Sequence, residues 1–174
     1  MATTRMQTYV ALLRAVNVGG TGKLPMAELR ALCEAAGFAD VRTYIASGNV
    51  VLRSASTARQ VQEVLETALE RHAGKPVGVL VRTGAEMAAV LAANPFSKTA
   101  PNRTVAIFLD PAPPADALDA ASGCNGEEMA LGKREIYVHY GDGMADSKLR
   151  IPAAKAGTAR NLNTVARLAG MAAE

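Results

Sequence analysis

Two glycine-bearing polar turns, Asn17-Val18-Gly19-Gly20 and Ser47-Gly48-Asn49, hold the residues of this chain best suited to a chemical task. Glycine lets the main chain come close to a ligand. The first turn runs towards a helix opened by Pro25, and a helix start offers free N–H groups and a positive dipole end to an anion. Arg14 and Lys23 flank this turn and add two cations. Arg14, Asn17, Gly19, Gly20, Lys23, Ser47, Gly48 and Asn49 are therefore candidates for binding a phosphate, a carboxylate or a similar group. Neither turn matches G-x-G-x-x-G or the P-loop. Each also reads as plain chain reversal, one a β-α turn and the other a hairpin whose Asn bonds its own backbone.

A second polar cluster, Thr158-Ala159-Arg160-Asn161-Leu162-Asn163-Thr164, reads as the start of the C-terminal helix. One capping residue would satisfy such a start, so the surplus is what suggests a binding role. Arg160 could grip an anion bidentately, and Asn161 and Lys148 join it as binding candidates. The plain alternative is that Arg160 and Asn163 tie this helix to the first half of the chain. From Ser147 to Ala173 the chain carries Lys148, Arg150, Lys155, Arg160 and Arg167 and no acid. That run suits phosphate contacts of a nucleic acid, or is a solvated basic face.

The remaining polar residues carry less. His72 falls in the last turn of a helix and His139 within a strand, without a metal-ligand pattern around either. Ser47 has no base or orienting group in reach of sequence reasoning. Asp142 and Asp146 are too sparse for a calcium loop, and Glu127-Glu128 reads as a solvated strand start. Cys33 sits on an apolar helix face and Cys124 in a glycine-flanked turn. They form neither a disulfide framework nor a zinc site. No catalytic constellation, metal site or cofactor follows.

The elements that would position these residues alternate in a recognisable order. Thr8 to Ala15 is a near-continuous apolar run, a buried strand. Met26, Leu29, Leu32, Cys33 and Ala36 recur at helical spacing, and Gly37 ends that helix. Val41 to Ala46 and Val50 to Ser54 read as strands. Ser56 or Thr57 caps a helix through Val61, Val64, Leu65 and Leu69 that ends near Gly74, and Val77 to Arg82 is a fourth strand. The order β-α-β-β-α-β is that of a ferredoxin-like unit. In it strands one and two run the same way through a right-handed crossover, so their ends, and the two glycine turns, reach one sheet edge.

The second half repeats the order incompletely. Thr83-Gly84-Ala85-Glu86 is a capping box opening a helix that stops before Pro95. Thr104 to Asp110 is a strand, Pro113-Pro114 opens a helix through Ala121, and 128–131 with 135–140 is a hairpin turned at Gly132-Lys133. Gly141 to Gly157 shows no periodicity before the terminal helix of Leu162, Val165 and Leu168. This gives β-α-β-β-α, one strand short. The expected architecture is α+β: a first ferredoxin-like subdomain over 1–94, and over 95–174 a second with antiparallel strands and a C-terminal helix.

Composition sets outer bounds. At 174 residues the chain can bury roughly 70% of its extended surface. Hydrophobic residues at 49% and charged residues at 20% suit a globular protein, and aromatics at 4% without Trp require an aliphatic core. No apolar run approaches the ~20 residues that span a bilayer. The N-terminus shows no basic segment followed by an apolar one, and with two isolated cysteines a reducing cytoplasm is expected. A net charge of +3 and pI near 9.0 permit an anionic partner. The first strand offers only Tyr9 and 50–53 no aromatic, which disfavours RNA stacking on the sheet.

The blocks LLRAVNVGG, KLPMAELRALCEAAGFADVRTYIASGNVV and TARNLNTVARL resemble an uncharacterised, mainly bacterial family, domain of unknown function 1697. The resemblance implies two ferredoxin-like halves and no established activity, substrate or cofactor. Arg14, Asn17, Gly19, Gly20, Lys23, Thr43, Ser47, Gly48, Asn49, Lys148, Thr158, Arg160, Asn161 and Thr164 match its shared pattern positions. Leu162 departs from it, since many relatives carry an aromatic there, which argues against a stacking role. The leading expectation is a small anionic ligand, such as a nucleotide or phosphorylated metabolite, held at the glycine-turn edge between subdomains. Nucleic-acid binding through 148–167, an enzyme stabilising a developing anion, and an interaction protein without ligand are the competing readings.

Overall fold

A computed structural model describes residues 6–14, 25–44, 48–96, 103–140, 147–155 and 157–173. The chain divides into two compact units, Met1–Met87 with Leu168–Glu174, and Ala88–Arg167. It is an α+β protein with two four-stranded antiparallel sheets.

The first unit contains β1 (Gln7–Leu13), α1 (Met26–Ala35), β2 (Ala39–Tyr44), β3 (Asn49–Ser54), α2 (Ala58–Ala73) and β4 (Val79–Thr83). Its strands stand in the order β2-β3-β1-β4. The apolar run in β1 reflects burial on both faces. Tyr9, Ala11 and Leu13 pack with Leu29 and Cys33 of α1 and Val61, Leu65 and Leu69 of α2, while Val10 and Leu12 are buried on the opposite face. Helix α1 starts after Pro25, whose carbonyl accepts from Leu29 N–H at 3.1 Å. Helix α2 carries a full capping box between Thr57 and Gln60 and ends at Gly74 with φ +75°. At the sheet edge, β2 shifts register between Ala39 and Arg42, and Asp40 there adopts φ +49°.

The second unit repeats this order with β5 (Thr104–Phe108), β6 (Glu128–Leu131), β7 (Glu135–His139) and β8 (Thr158–Asn161) as β6-β7-β5-β8. Two expectations are corrected here. The helix expected from Pro113 to Ala121 is only a 3-10 turn over Ala117–Ala120. Its chain turns away at Ser122 to pair with Arg150. The missing fourth strand is β8, built from residues expected to start the terminal helix. Along it Thr158 and Arg160 are buried and Ala159 is exposed. The alternation is that of a strand, but with polar residues inward, so a reading based on hydrophobicity passes over it.

A helix follows the last strand of each sheet: α3 (Gly84–Ala92) after β4 and α4 (Leu162–Ala173) after β8. Each starts in one unit and ends in the other. Within the second unit Tyr137 Oη donates to Val90 O at 2.6 Å. Within the first, Arg42 Nη2 donates to Met171 O at 2.8 Å. Among the described residues no helix is long and apolar enough to cross a membrane.

Candidate functional site

Strands β1 and β2 end at the same edge of their sheet. Leu12 stands opposite Asn49, Tyr44 stands opposite Asn49 on the other side, and Leu13 N–H donates to Gly48 O at 2.9 Å. Gly48 is buried at φ +82°, a conformation that costs an L-residue about 1–2 kcal/mol. Asn49 is fully buried, and its Nδ2 donates to Tyr44 O at 2.9 Å. The bond runs to a carbonyl five residues earlier on β2, not to the backbone of Asn49 itself as the sequence reading expects.

Arg14 follows directly. Its N–H donates to Gly78 O at 2.9 Å, and its side chain lies over Gly78, where an added Cβ would come 3.0 Å from Arg14 Cδ. The half-buried guanidinium stem is thus seated on bare main chain at the start of β4. Gly48 and Asn49 meet the end of β1 on its β3 side, whereas the Arg14 side chain lies over Gly78 on the β4 side. Asn17, Gly19, Gly20, Lys23 and Ser47 lie outside the described residues.

The second unit holds Lys148, Arg160 and Asn161. Arg160 is 6% exposed and donates through Nη1 to Thr158 Oγ1 at 2.6 Å and Ala159 O at 3.0 Å. Burial pushes its pKa down to about 10, so it stays a cation at neutral pH. Asn161 Oδ1 accepts from Thr164 N–H at 2.9 Å and caps α4. Lys148 lends its main chain to a tight crossing over Gly123, whose φ is +69°.

Sequence reasoning missed two groups. Arg82 is 1% exposed on the strand just before α3, at the place Arg160 takes before α4. The signal was present: aligning VRTGAE at 81–86 with ARNLNT at 159–164 superposes the arginines and the capping residues. Glu127 was expected to be solvated; it is 8% exposed. Its carboxylate accepts from Asn125 N–H at 2.7 Å and Ser147 Oγ at 3.1 Å. The Asn125 N–H above all, with Ser147 and Cys124, holds its pKa below the ordinary value against the opposing effect of burial. It clamps a loop.

Both histidines have structural partners. His72 Nε2 lies 3.3 Å from Glu28 Oε2, and His139 Nδ1 lies 2.9 Å from Thr104 Oγ1. Cys33 is buried, which with the nearby Glu34 pushes its thiol up to about 12 and makes it unreactive. Among the described residues no group of three His, Cys, Asp or Glu is placed to hold a metal.

Fold and side chains together define an α+β protein with two sheets of like strand order, without a readable catalytic set among the described residues. The chain belongs to the family described as protein of unknown function (DUF1697), whose model matches residues 6–137. Thr158 to Thr164 lie beyond that match. Among solved structures the chain is similar to conserved bacterial protein SP0830 from Streptococcus pneumoniae. The identity is 25%, the TM-score 0.79, and the likeness covers 97% of this chain and 99% of that one. No curated protein matches the chain.

Proposed function

We propose that this protein binds a small anionic ligand bearing a phosphate or carboxylate at the edge where β1 meets the β2–β3 turn. The observation that supports the reading is the Leu13–Gly48 hydrogen bond at 2.9 Å, which joins the β2–β3 turn to the main chain one residue before Arg14. In this reading Arg14, seated over Gly78, supplies the charge and the Gly48 turn across β1 supplies close main-chain approach at one end of the sheet. Sequence adds Asn17, Gly19, Gly20, Lys23 and Ser47 to the proposal. The basic 148–167 segment is a weaker basis for nucleic-acid binding, because Arg160 is buried and unable to reach a phosphate backbone.

We also read both halves as ferredoxin-like. The orders β2-β3-β1-β4 and β6-β7-β5-β8 support this, as do α1 and α2 packed on one face of the first sheet. The binding proposal is tested by thermal shift against inorganic phosphate, nucleotides and phosphorylated sugars. A ligand at a thousand times its Kd should stabilise the fold by about 4 kcal/mol. A panel that leaves the melting temperature unmoved at millimolar concentration overturns it.

A further inference from the structure

We propose that the outer groove between α1 and α2 docks a second copy of this chain, with α2 lying antiparallel against α2 about a two-fold axis at Thr67. The groove encloses about 640 Å³, and Leu32, Ala36, Val64 and Ala68 give it an apolar floor. The core face of α2 is already used, since Val61, Leu65 and Leu69 are buried. Val64 belongs to a different stripe and is 41% exposed.

The charges on the rim identify the occupant. Glu63, Thr67 and Arg71 follow one another at four-residue steps and so share one helix face. Thr67 stands midway between an acid and a base. An antiparallel two-fold centred there sets Glu63 of each copy opposite Arg71 of the other. This is the repeated, self-complementary contact of an isologous dimer. Arg71 makes no ion pair among the described residues. Glu63 lies 3.5 Å from Arg59 with both side chains largely exposed, so its carboxylate has room for a second guanidinium.

Alanines along the groove let two helices approach to the ~8–10 Å of packed pairs. Helix α2 has 16 residues, about 24 Å of length. Two helices side by side offer roughly 500 Å², less than the ~800 Å² per partner of a standard interface. The dimer is therefore weak and concentration-dependent.

Sedimentation equilibrium of the full chain from ~1 μM to ~1 mM tests this. The wild type should shift from monomer to dimer over that range. Arg71→Glu alone and Glu63→Arg alone should each raise the dissociation constant at least about tenfold, which is 1.4 kcal/mol. The double variant, with both charges exchanged, should restore the wild-type constant. Circular dichroism of each variant, expected to match the wild type at these exposed positions, confirms that the fold is intact before the constants are compared. A wild type that stays monomeric overturns the proposal. So does a dimer indifferent to the single reversals, or one that the double exchange fails to restore.

Discussion

Arg82 and Arg160 occupy the same position in two repeated strand–helix junctions. Arg82 stands opposite Val10 of the first sheet, and Arg160 stands opposite Ala106 of the second. Each is followed by a residue that caps the next helix: Thr83 Oγ1 accepts from Glu86 N–H at 3.1 Å, and Asn161 Oδ1 accepts from Thr164 N–H at 2.9 Å. Four and seven residues beyond each cap the alignment continues, with Met87 and Val90 buried in α3 and Val165 and Leu168 buried in α4. Both junctions place a guanidinium on a buried sheet face.

Arg160→Ala removes the donor to Thr158 Oγ1 and Ala159 O. We expect a loss of roughly 2 kcal/mol, as for hydrogen bonds of a charged group, read by urea denaturation. Arg160→Lys should recover less than half of it, because an ammonium cannot reproduce the planar fork. Unchanged stability in the alanine variant would show that this arginine does not hold β8.

Gly123 and Gly126 separate backbone strain from crowding. Both have positive φ, +69° and +86°, but an added Cβ at Gly123 runs into the Lys148 carbonyl, whereas at Gly126 it meets open space. Gly126→Ala should cost about 1 kcal/mol, the left-handed penalty alone. Gly123→Ala should cost distinctly more than ~2 kcal/mol, since the crossing chain must move. Equal melting temperatures for the two variants would contradict the close approach.

Glu127 makes stability depend on pH. Its folded pKa lies below the ordinary 4.5, so the folded state favours the carboxylate. The contribution is complete above 4.5, the value expected of the unfolded chain, and is lost as pH falls through the lower folded value. Glu127→Gln should therefore be less stable than wild type at neutral pH, and the two stabilities should converge on acidification. Urea melts across that range decide it; parallel curves would show that the carboxylate charge is not what clamps the loop.

Gly78→Ala tests the seat of Arg14 without altering Arg14 itself. The new methyl would come 3.0 Å from Arg14 Cδ, and a flexible side chain can yield that distance at a cost of less than ~1 kcal/mol. Ligand affinity should fall while the melting temperature of the free protein barely changes. Undiminished affinity would mean that the position of Arg14 is immaterial.

Much of the first unit was legible because its pattern obeys ordinary rules. Thr57 and Gln60 form the capping box of α2, Gly37 and Gly74 end helices at positive φ, and the apolar β1 marks a strand buried on both sides. The strand order inferred from these elements brings the end of β1 to the β2–β3 turn, where Leu13 and Gly48 meet. The second unit was harder for identifiable reasons. Strand β8 points Thr158 and Arg160 inward, opposite to the hydrophobic code, and helix caps and strand ends draw on the same polar residues. Glu127 was misread because its burial depends on Ser147, twenty residues away along the chain. Arg82 was overlooked because a lone arginine in an apolar strand looks like the strand's end until it is set beside Arg160.

The most direct test of the binding claim is isothermal titration of wild type and Arg14→Ala with the phosphate compound that gives the largest thermal shift. The wild type should bind saturably and the variant at least about tenfold more weakly, the loss of one charge-assisted contact, with urea stability preserved. Binding equal in the two proteins, or none in the wild type, would contradict it.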